Sequence, residues 1–246
     1  MSVPDIAPID FSSYTHIAVL TGAGISVASG LRTYRGEGGI WEEHDIEKSA
    51  YAETLWHDPT AIWKIISSLR QIVQQTRPNA AHLALAQFAS RLRPDQTFSL
   101  ITQNVDGLHR RAGNQDVIEI HGNAQRTRCR NDACPLAPFD DVQPYIDEVP
   151  HCPECGDPLR PDVVLFGEFL PPEAQYHAQQ AVGQCDLFMA VGTSGTVYPA
   201  AGFVQSARNA GARTILVNLE PMDPPNPAFQ EEYLGKAEEL LPRLLA

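Results

Sequence analysis

Short runs of consecutive apolar residues alternate with longer amphipathic stretches along most of this chain. Such runs favour strands buried on both faces, whereas apolar spacings of three and four predict helices. The predicted strands are 16–21, 97–102, 116–120, 162–166, 185–192 and 213–219. The predicted helices are 60–75, 79–91, 173–183, 199–210 and 235–245. The pattern predicts an α/β fold built on a Rossmann-like, doubly wound parallel sheet.

Two segments interrupt this alternation. Residues 30–76 contain Gly-rich turns followed by a helix, and residues 124–160 hold clustered cysteines and many prolines. We interpret both as inserts that together form a smaller domain with a helical module and a zinc-binding module. The large, Rossmann-like domain then comprises residues 1–29, 77–123 and 161–246.

Composition narrows the class of protein. Of the 246 residues, 43% are hydrophobic, and the formal net charge is −12. An acidic chain lacks the basic surface that nucleic-acid binding needs. No run of about 18 apolar residues predicts a membrane span, and the N-terminus does not resemble a signal peptide. We expect a soluble, cytoplasmic, monomeric protein without direct nucleic-acid contacts.

A Gly-rich turn follows the first predicted strand. Gly22, Ala23 and Gly24 let backbone N–H groups approach a phosphate, and Ser26 can bond at the start of a helix. A turn of this kind alone is only a weak indication of a dinucleotide site. The polar, Gly-rich stretch at 32–41 favours chemistry on the cofactor over hydride transfer.

Four of the five cysteines are spaced as two short knuckles, Cys129 with Cys134 and Cys152 with Cys155. This spacing is typical of a tetrahedral structural zinc site, which four thiolates leave without an open position for catalysis. Disulfides and a redox-active pair are the alternatives, and a cytoplasmic location disfavours disulfides. The fifth, Cys185, begins a predicted strand and is expected in the core.

Polar side chains follow two of the predicted strands. Gln103, Asn104 and Asp106 come after strand 97–102, and His121 comes after strand 116–120. Amides and a carboxylate suit a carboxamide or ribose hydroxyls, and a histidine there is a candidate general base. The alternatives are an ordinary turn with a helix cap and a core histidine. His82 and His109 are expected to be core histidines.

Two later strands also end in polar residues. Gly192, Thr193 and Ser194 follow strand 185–192, and Asn218 with Glu220 closes strand 213–219. Carboxyl ends of parallel strands share one edge of the sheet, where ligands bind. Four polar strand ends therefore favour one long nucleotide lying across that edge.

Taken together, the motifs resemble those of the sirtuins, the family of NAD-dependent protein-lysine deacylases. They occur in family order between about residues 14 and 240: GAGIS…GLRTYRG, TQNVDGLH, the HG pair, the four cysteines, VVLFGE, GTSG and VNLE. The resemblance implies a Rossmann-like domain, a small zinc-bearing domain, and a cleft between them where NAD meets an acyl-lysine protein or peptide.

The resemblance also assigns roles to residues. Those implied for the pyrophosphate and nicotinamide ribose are Gly22, Ala23, Gly24, Ser26, Thr33, Tyr34, Arg35 and Trp41. Those implied for the nicotinamide carboxamide and ribose are Gln103, Asn104 and Asp106. Those implied for the adenosine half are Gly192, Thr193, Ser194, Asn218, Leu219, Glu220 and Ala237. Those implied to flank the substrate are Val164, Leu165, Phe166, Gly167, Gly195 and Thr196. Tyr34 replaces the Phe usual in the family.

The implied reaction consumes NAD. The acyl-lysine carbonyl oxygen attacks C1′ of the nicotinamide ribose and expels nicotinamide. His121 then removes a proton from a ribose hydroxyl, and that hydroxyl attacks the alkylamidate carbon. A step that consumes water releases lysine and O-acyl-ADP-ribose. Asn104 is the second implied catalytic residue. The alternatives are a mono-ADP-ribosyltransferase or NAD glycohydrolase, and a non-catalytic NAD-sensing module.

The overall pattern is most similar to the bacterial branch of the family that removes succinyl and malonyl groups. That branch carries Tyr-x-x-Arg on the small-domain helix, where this chain has Ile66 and Leu69. An acyl carboxylate left unpaired between Ile and Leu is costly. The sequence therefore predicts a deacylase of neutral acyl groups that acts poorly on succinyl-lysine. Alternatively, both residues only pack.

Overall fold

A computed structural model describes residues 6–33, 39 and 49–246. The strands are β1 (His16–Thr21), β2 (Thr97–Thr102), β3 (Ile118–Glu119), β4 (Gly122–Cys129), β5 (Phe139–Asp140), β6 (Leu159–Val163), β7 (Leu187–Val191), β8 (Arg213–Asn218) and β9 (Glu231–Leu234). The helices are α1 (Thr54–His57), α2 (Pro59–Gln75), α3 (Ala80–Ser90), α4 (Leu108–Arg111), α5 (Pro172–Gln184), α6 (Phe203–Asn209) and α7 (Ala237–Leu244), with 3₁₀ helices at Ala23–Ser29 and Ala200–Gly202.

Six strands form a parallel sheet in the order β3-β2-β1-β7-β8-β9. Successive side chains of β1 point to opposite faces: Ile17 and Val19 lie in one core with α3 and α7, whereas Ala18 and Leu20 lie in another with α5 and α6. Both faces of the sheet are thus covered by helices, and the expected doubly wound α/β fold is confirmed.

A second sheet, antiparallel and in the order β5-β4-β6, lies outside the parallel one. Of the run predicted as a parallel strand at 162–166, only residues 162–163 lie in a strand, the antiparallel β6, whose Val163 pairs with Gly122 of β4. The prediction was wrong because a short apolar run does not reveal its pairing partner. β6 also crosses the predicted domain boundary at residue 161; the division into domains otherwise stays a prediction.

Helix α2 connects the two parts of this smaller region. It starts with Pro59, while the side chain of Asp58 accepts a hydrogen bond from the Ala61 N–H at 3.2 Å. On one side it buries Trp63 against Cys129 and Cys152, and on another it buries Ile66. Within the described residues, no helix is long and apolar enough to cross a membrane.

Candidate active site

The register of the parallel sheet brings the polar strand ends to one edge. Thr21 pairs with Thr102 on one side and with Val191 on the other. The residues that follow these strands, Gly22, Gln103 and Gly192, therefore begin at the same level. β3 and β8 extend the edge, so that His121 and Asn218 lie on it as well.

The Gly-rich turn is pressed against the turn after β7. The Gly22 N–H donates to the Val191 carbonyl and the Gly24 N–H to the Gly192 carbonyl, both at 2.9 Å. A Cβ on Gly24 would lie 2.7 Å from the Gly192 Cα. Gly192 itself has φ +59, in the left-handed region. Small residues are thus required here for two turns to meet at the ligand edge.

Asn104 is buried and half satisfied. Its Nδ2 donates to the Gly22 carbonyl at 3.0 Å and to Ser26 Oγ at 3.3 Å, whereas its Oδ1 has no partner within the described residues. A buried amide oxygen without a partner is costly, and a hydroxyl of a bound ribose would satisfy it. The site therefore fits the nucleotide that the sequence implies.

Asp106 and Asn104 are both hydrogen-bonded to Ser26 Oγ. Asp106 accepts hydrogen bonds from Ser26 Oγ and from the Leu108 N–H, each at 2.8 Å. Burial raises the pKa of Asp106 above its ordinary value despite these two bonds. The sequence assigned Asp106 to the nicotinamide carboxamide, and the structure places it next to the predicted contacts Asn104 and Ser26.

His121 presents one nitrogen as a base. Its Nδ1 lies 2.9 Å from the Gln103 carbonyl, which can only accept, so Nδ1 carries the proton and Nε2 keeps its lone pair. Burial lowers the pKa of His121 below its ordinary 6.5, outweighing that hydrogen bond. The neutral imidazole that proton abstraction requires is thus the stable form at neutral pH.

The predicted adenosine contacts surround the turn after β7. Thr193 accepts a hydrogen bond from Gln103 Nε2 at 2.9 Å, and its carbonyl accepts from Asn218 Nδ2 at 3.4 Å. Ser194 Oγ and Thr196 Oγ1 bond each other at 2.9 Å. Leu219 and Glu220 are exposed, and Ala237 is buried at the start of α7. Thr33 is half-buried, whereas Tyr34, Arg35 and Trp41 lie outside the described residues.

The four clustered cysteines meet as predicted. The sulfurs of Cys129, Cys134, Cys152 and Cys155 all lie within 4.8 Å of one another, and none forms a disulfide. Four thiols converging on one point are the donor set of a structural zinc site. Cys185 is buried, as predicted.

Ile66 and Leu69 pack together with the predicted substrate residues. Ile66 is buried in a cluster with Val163 and Leu165, and Leu69 packs against it together with Val105. Phe166 bridges to Tyr51, whose ring centroid lies 5.3 Å away. Leu165 is buried, whereas Gly167 is exposed and Gly195 half-buried. The structure thus places Ile66 and Leu69 with Leu165 and Val163 in one apolar wall, whereas Val164 packs against the core beneath α5 and α6.

Some supporting residues were missed by the sequence analysis. His82 and His109 are buried, as expected of core histidines, with ring centroids 4.9 Å apart, but their contacts with Ser26 and Thr21 were not foreseen. His82 Nε2 lies 3.4 Å from Ser26 Oγ, and His109 Nε2 lies 2.8 Å from Thr21 Oγ1. Arg160 and Glu168 form an ion pair beside the substrate residues. Only the Arg and Glu types flanking the VVLF run could have indicated that pair.

Known proteins share this arrangement. The Sir2 family model matches residues 22–199. An NAD-dependent protein deacylase of Escherichia coli K12 is 44% identical over 93% of this chain and 80% of its own length. NAD-dependent protein deacylase 2 of Pyrobaculum aerophilum is 40% identical over 100% of this chain and 94% of its own.

Solved structures agree with the sequence relatives. A Sir2 homologue in complex with NAD superposes with a TM-score of 0.85 at 36% identity, covering 95% of this chain and 89% of that one. A Sir2 protein bound to acetylated peptide gives a TM-score of 0.81 at 27% identity, covering 96% and 94%. With its parallel sheet, its cysteine cluster and its edge of polar strand ends, the chain belongs to the Sir2 family.

Proposed function

We propose that this protein is an NAD-dependent protein-lysine deacylase that acts on peptides or proteins carrying neutral acyl groups. The observation that carries the proposal is His121, a neutral base at the ligand edge whose Nε2 keeps its lone pair. The family relationship supports the same activity.

Asn104, His121 and the Gly22–Gly24 turn have separate roles in the proposed reaction. When bound, NAD would supply the electrophilic C1′ of the nicotinamide ribose, which the acyl carbonyl oxygen attacks, and the ribose hydroxyl that receives the acyl group. Asn104 orients the ribose through its free Oδ1, and His121 Nε2 takes a proton from a ribose hydroxyl. The Gly22–Gly24 turn offers close backbone approach to the pyrophosphate. With one water consumed, the products are nicotinamide, free lysine and O-acyl-ADP-ribose.

The zinc ion that the cysteine cluster fits would be structural. Cys129, Cys134, Cys152 and Cys155 supply all four ligands of a tetrahedral site, so no position remains for a substrate or a water. These residues hold the small sheet and the buried face of α2 together. None of them takes part in the proton transfer.

The acyl pocket is apolar on the α2 side. Arg70, the nearest cation on that helix, is fully buried, and all five of its side-chain N–H groups donate hydrogen bonds within the protein. Its acceptors are the carbonyls of Ala124, Arg126 and Gln143, the hydroxyl of Thr127 and the carboxylate of Asp141. Arg70 therefore cannot turn toward an acyl carboxylate. This supports acetyl or longer apolar groups over succinyl as substrates.

One assay tests the function and its alternatives. Nicotinamide release is measured with and without an acetyl-lysine peptide, for the wild type and for His121→Ala. We expect peptide-dependent release that falls about 10²–10⁴-fold in the variant. Peptide-independent release would indicate an NAD glycohydrolase, transfer of ADP-ribose to protein a transferase, and no release a binding module.

A further inference from the structure

The backbone after β6 is held from both sides at Val164 and Phe166. The Val164 N–H donates to the His121 carbonyl at 2.9 Å. The Phe166 N–H donates to the Ala50 carbonyl, and its own carbonyl accepts from the Ala52 N–H, both at 2.9 Å. The stretch Val164–Glu168, called here the 164–168 segment, therefore runs from the catalytic histidine to the start of the helical module.

Arg160 and Glu168 close the far end of this segment. Arg160 is 4% exposed, and its Nη1 and Nη2 donate to the two Glu168 carboxylate oxygens at 2.5 and 2.9 Å. Nη2 also donates to the Val163 carbonyl at 2.8 Å. A bidentate guanidinium–carboxylate pair fixes the orientation of both groups.

The Glu168 carboxylate also stabilises the turn between Leu165 and Glu168. Its Oε2 accepts the Leu165 N–H at 2.8 Å, while the Glu168 N–H donates to the Leu165 carbonyl at 3.0 Å. Burial alone would raise the pKa of Glu168, but hydrogen bonds from Arg160 and Leu165 outweigh it and the pKa lies below its ordinary value. Gly167, at φ +87, completes the turn.

This arrangement determines which backbone groups stay open. The backbone N–H and carbonyl groups of Leu165 and Phe166 all take part in the hydrogen bonds described above. In the described part of the chain, the Val164 carbonyl and the Gly167 N–H make no hydrogen bond. An extended peptide can pair only with such unpaired groups on an edge. The turn sets where these two groups point.

We propose that Arg160 is a positioning residue for the peptide substrate: by clamping Glu168, it holds the 164–168 segment in the shape that presents its open backbone groups to the peptide chain. The proposal rests on the function proposed above. Neither Arg160 nor Glu168 touches the acyl group or NAD in this account. Their effect is therefore confined to the energy gained from peptide residues on either side of the acyl-lysine.

The test compares a long acetyl-lysine peptide with a minimal, end-capped acetyl-lysine in wild type, Glu168→Gln and Arg160→Lys. Glu168→Gln keeps the side-chain length and Arg160→Lys keeps the positive charge, but each weakens the bidentate pair. We expect the KM for the long peptide to rise about tenfold, since one or two backbone contacts are lost. The KM for NAD and the kcat/KM for the minimal substrate should stay near the wild-type values.

Glu231→Gln is the matched control, because Arg213 and Glu231 form a comparable bidentate pair between β8 and β9, away from the 164–168 segment. Equal losses for long and minimal substrates, or an unchanged long-peptide KM, would overturn the proposal. Binding of a fluorescent acetyl-peptide and the thermal midpoint separate weak peptide binding from misfolding. A wild type without peptide-dependent nicotinamide release would instead overturn the proposed function.

Discussion

His121 has only one nitrogen available for proton transfer, because the Gln103 carbonyl occupies the other. Burial shifts its pKa below 6.5, so the neutral form persists when the pH falls through that value. We expect the acid limb of kcat/KM, which reports the protonation of His121, to be centred below pH 6.5. A pH profile with acetyl-peptide measures this.

An acid limb centred at or above 6.5 would contradict this prediction. The matched control is circular dichroism over the same pH range, which reports whether the fold is intact where activity declines. A decline that coincides with loss of ellipticity would be assigned to unfolding and not to His121.

The predicted preference for neutral acyl groups depends on Leu69. Leu69→Arg places a cation beside Ile66 and Leu165, in a wall that otherwise offers a carboxylate no partner. We expect the ratio of desuccinylation to deacetylation to rise at least about tenfold, which corresponds to ~1.4 kcal/mol. Rates on matched succinyl and acetyl peptides measure this ratio.

Ile72→Arg is the control for Leu69→Arg, because Ile72 lies on the same helix but is 51% exposed. It makes the same chemical change away from the wall. An unchanged ratio in Leu69→Arg would place acyl selection elsewhere, and efficient desuccinylation by the wild type would contradict the assignment of a neutral acyl pocket.

Helix α2 contacts both the cysteine cluster and the apolar wall formed by Ile66, Val163 and Leu165. Trp63 is buried beside Cys129 and Cys152 and donates to the Leu159 carbonyl at 3.3 Å, while Ile66 faces the wall. Ser67 and Tyr145 exchange hydrogen bonds of 2.8 and 3.0 Å on the zinc side. Release of the metal should therefore loosen the helix that carries the acyl contacts.

We expect zinc chelation to shift the emission of Trp63 to longer wavelength and to abolish deacylation. The measurement uses a Trp41→Phe/Trp56→Phe background, in which Trp63 is the remaining tryptophan. Re-addition of Zn²⁺ should restore the emission maximum, because metal binding is coupled to folding. An unchanged emission after verified metal loss would show that α2 does not depend on the metal.

Among the secondary-structure elements, those with a clear apolar pattern were predicted well from the sequence. β1 and β2 have the predicted bounds, because their apolar runs are buried on both faces. β9, with the sequence EEYL, was missed because it is an edge strand that alternates half-buried and exposed residues. β4 and β6 pair outside the parallel sheet, and only tertiary contacts determine such pairing.

The grouping of residues in the candidate site could also be predicted, because it depends on where buried strands end. Polar residues directly after buried strands must meet at one edge, so Asn104, His121 and Thr193 could be grouped from sequence. The relation of His82 to Ser26 and of Arg160 to Glu168 could not, since each joins side chains whose meeting depends on the packing of separate elements.

For the whole molecule, the contact between the turns after β1 and β7 joins the two halves of the sheet. A Cβ at Gly22 would lie 2.6 Å from the Gly192 carbonyl oxygen and 2.9 Å from the Thr193 Cα, although φ −121 at Gly22 suits any residue. Gly22→Ala should lower the free energy of unfolding by about 1–3 kcal/mol and weaken NAD binding. Denaturant unfolding and NAD titration measure both.

Gly183→Ala is the control for Gly22→Ala. Gly183 lies in α5, and an added Cβ there meets no heavy atom within 4 Å. It should leave NAD binding unchanged and stabilise the fold by up to about 1 kcal/mol. A Gly22→Ala protein as stable as wild type, with normal NAD affinity, would mean that the two turns separate easily.

The neighbours β1 and β7 are also far apart in the order of synthesis. During translation, the Gly-rich turn, Asn104 and His121 are synthesised well before β7 (Leu187–Val191) leaves the ribosome. Between the synthesis of His121 and that of Val191 the nascent chain therefore has only half of a nucleotide site, and NAD cannot act as a folding ligand until the second half of the sheet is made. Products of premature termination before β7 would gain no protection from NAD and would be exposed to proteases whatever the cofactor supply.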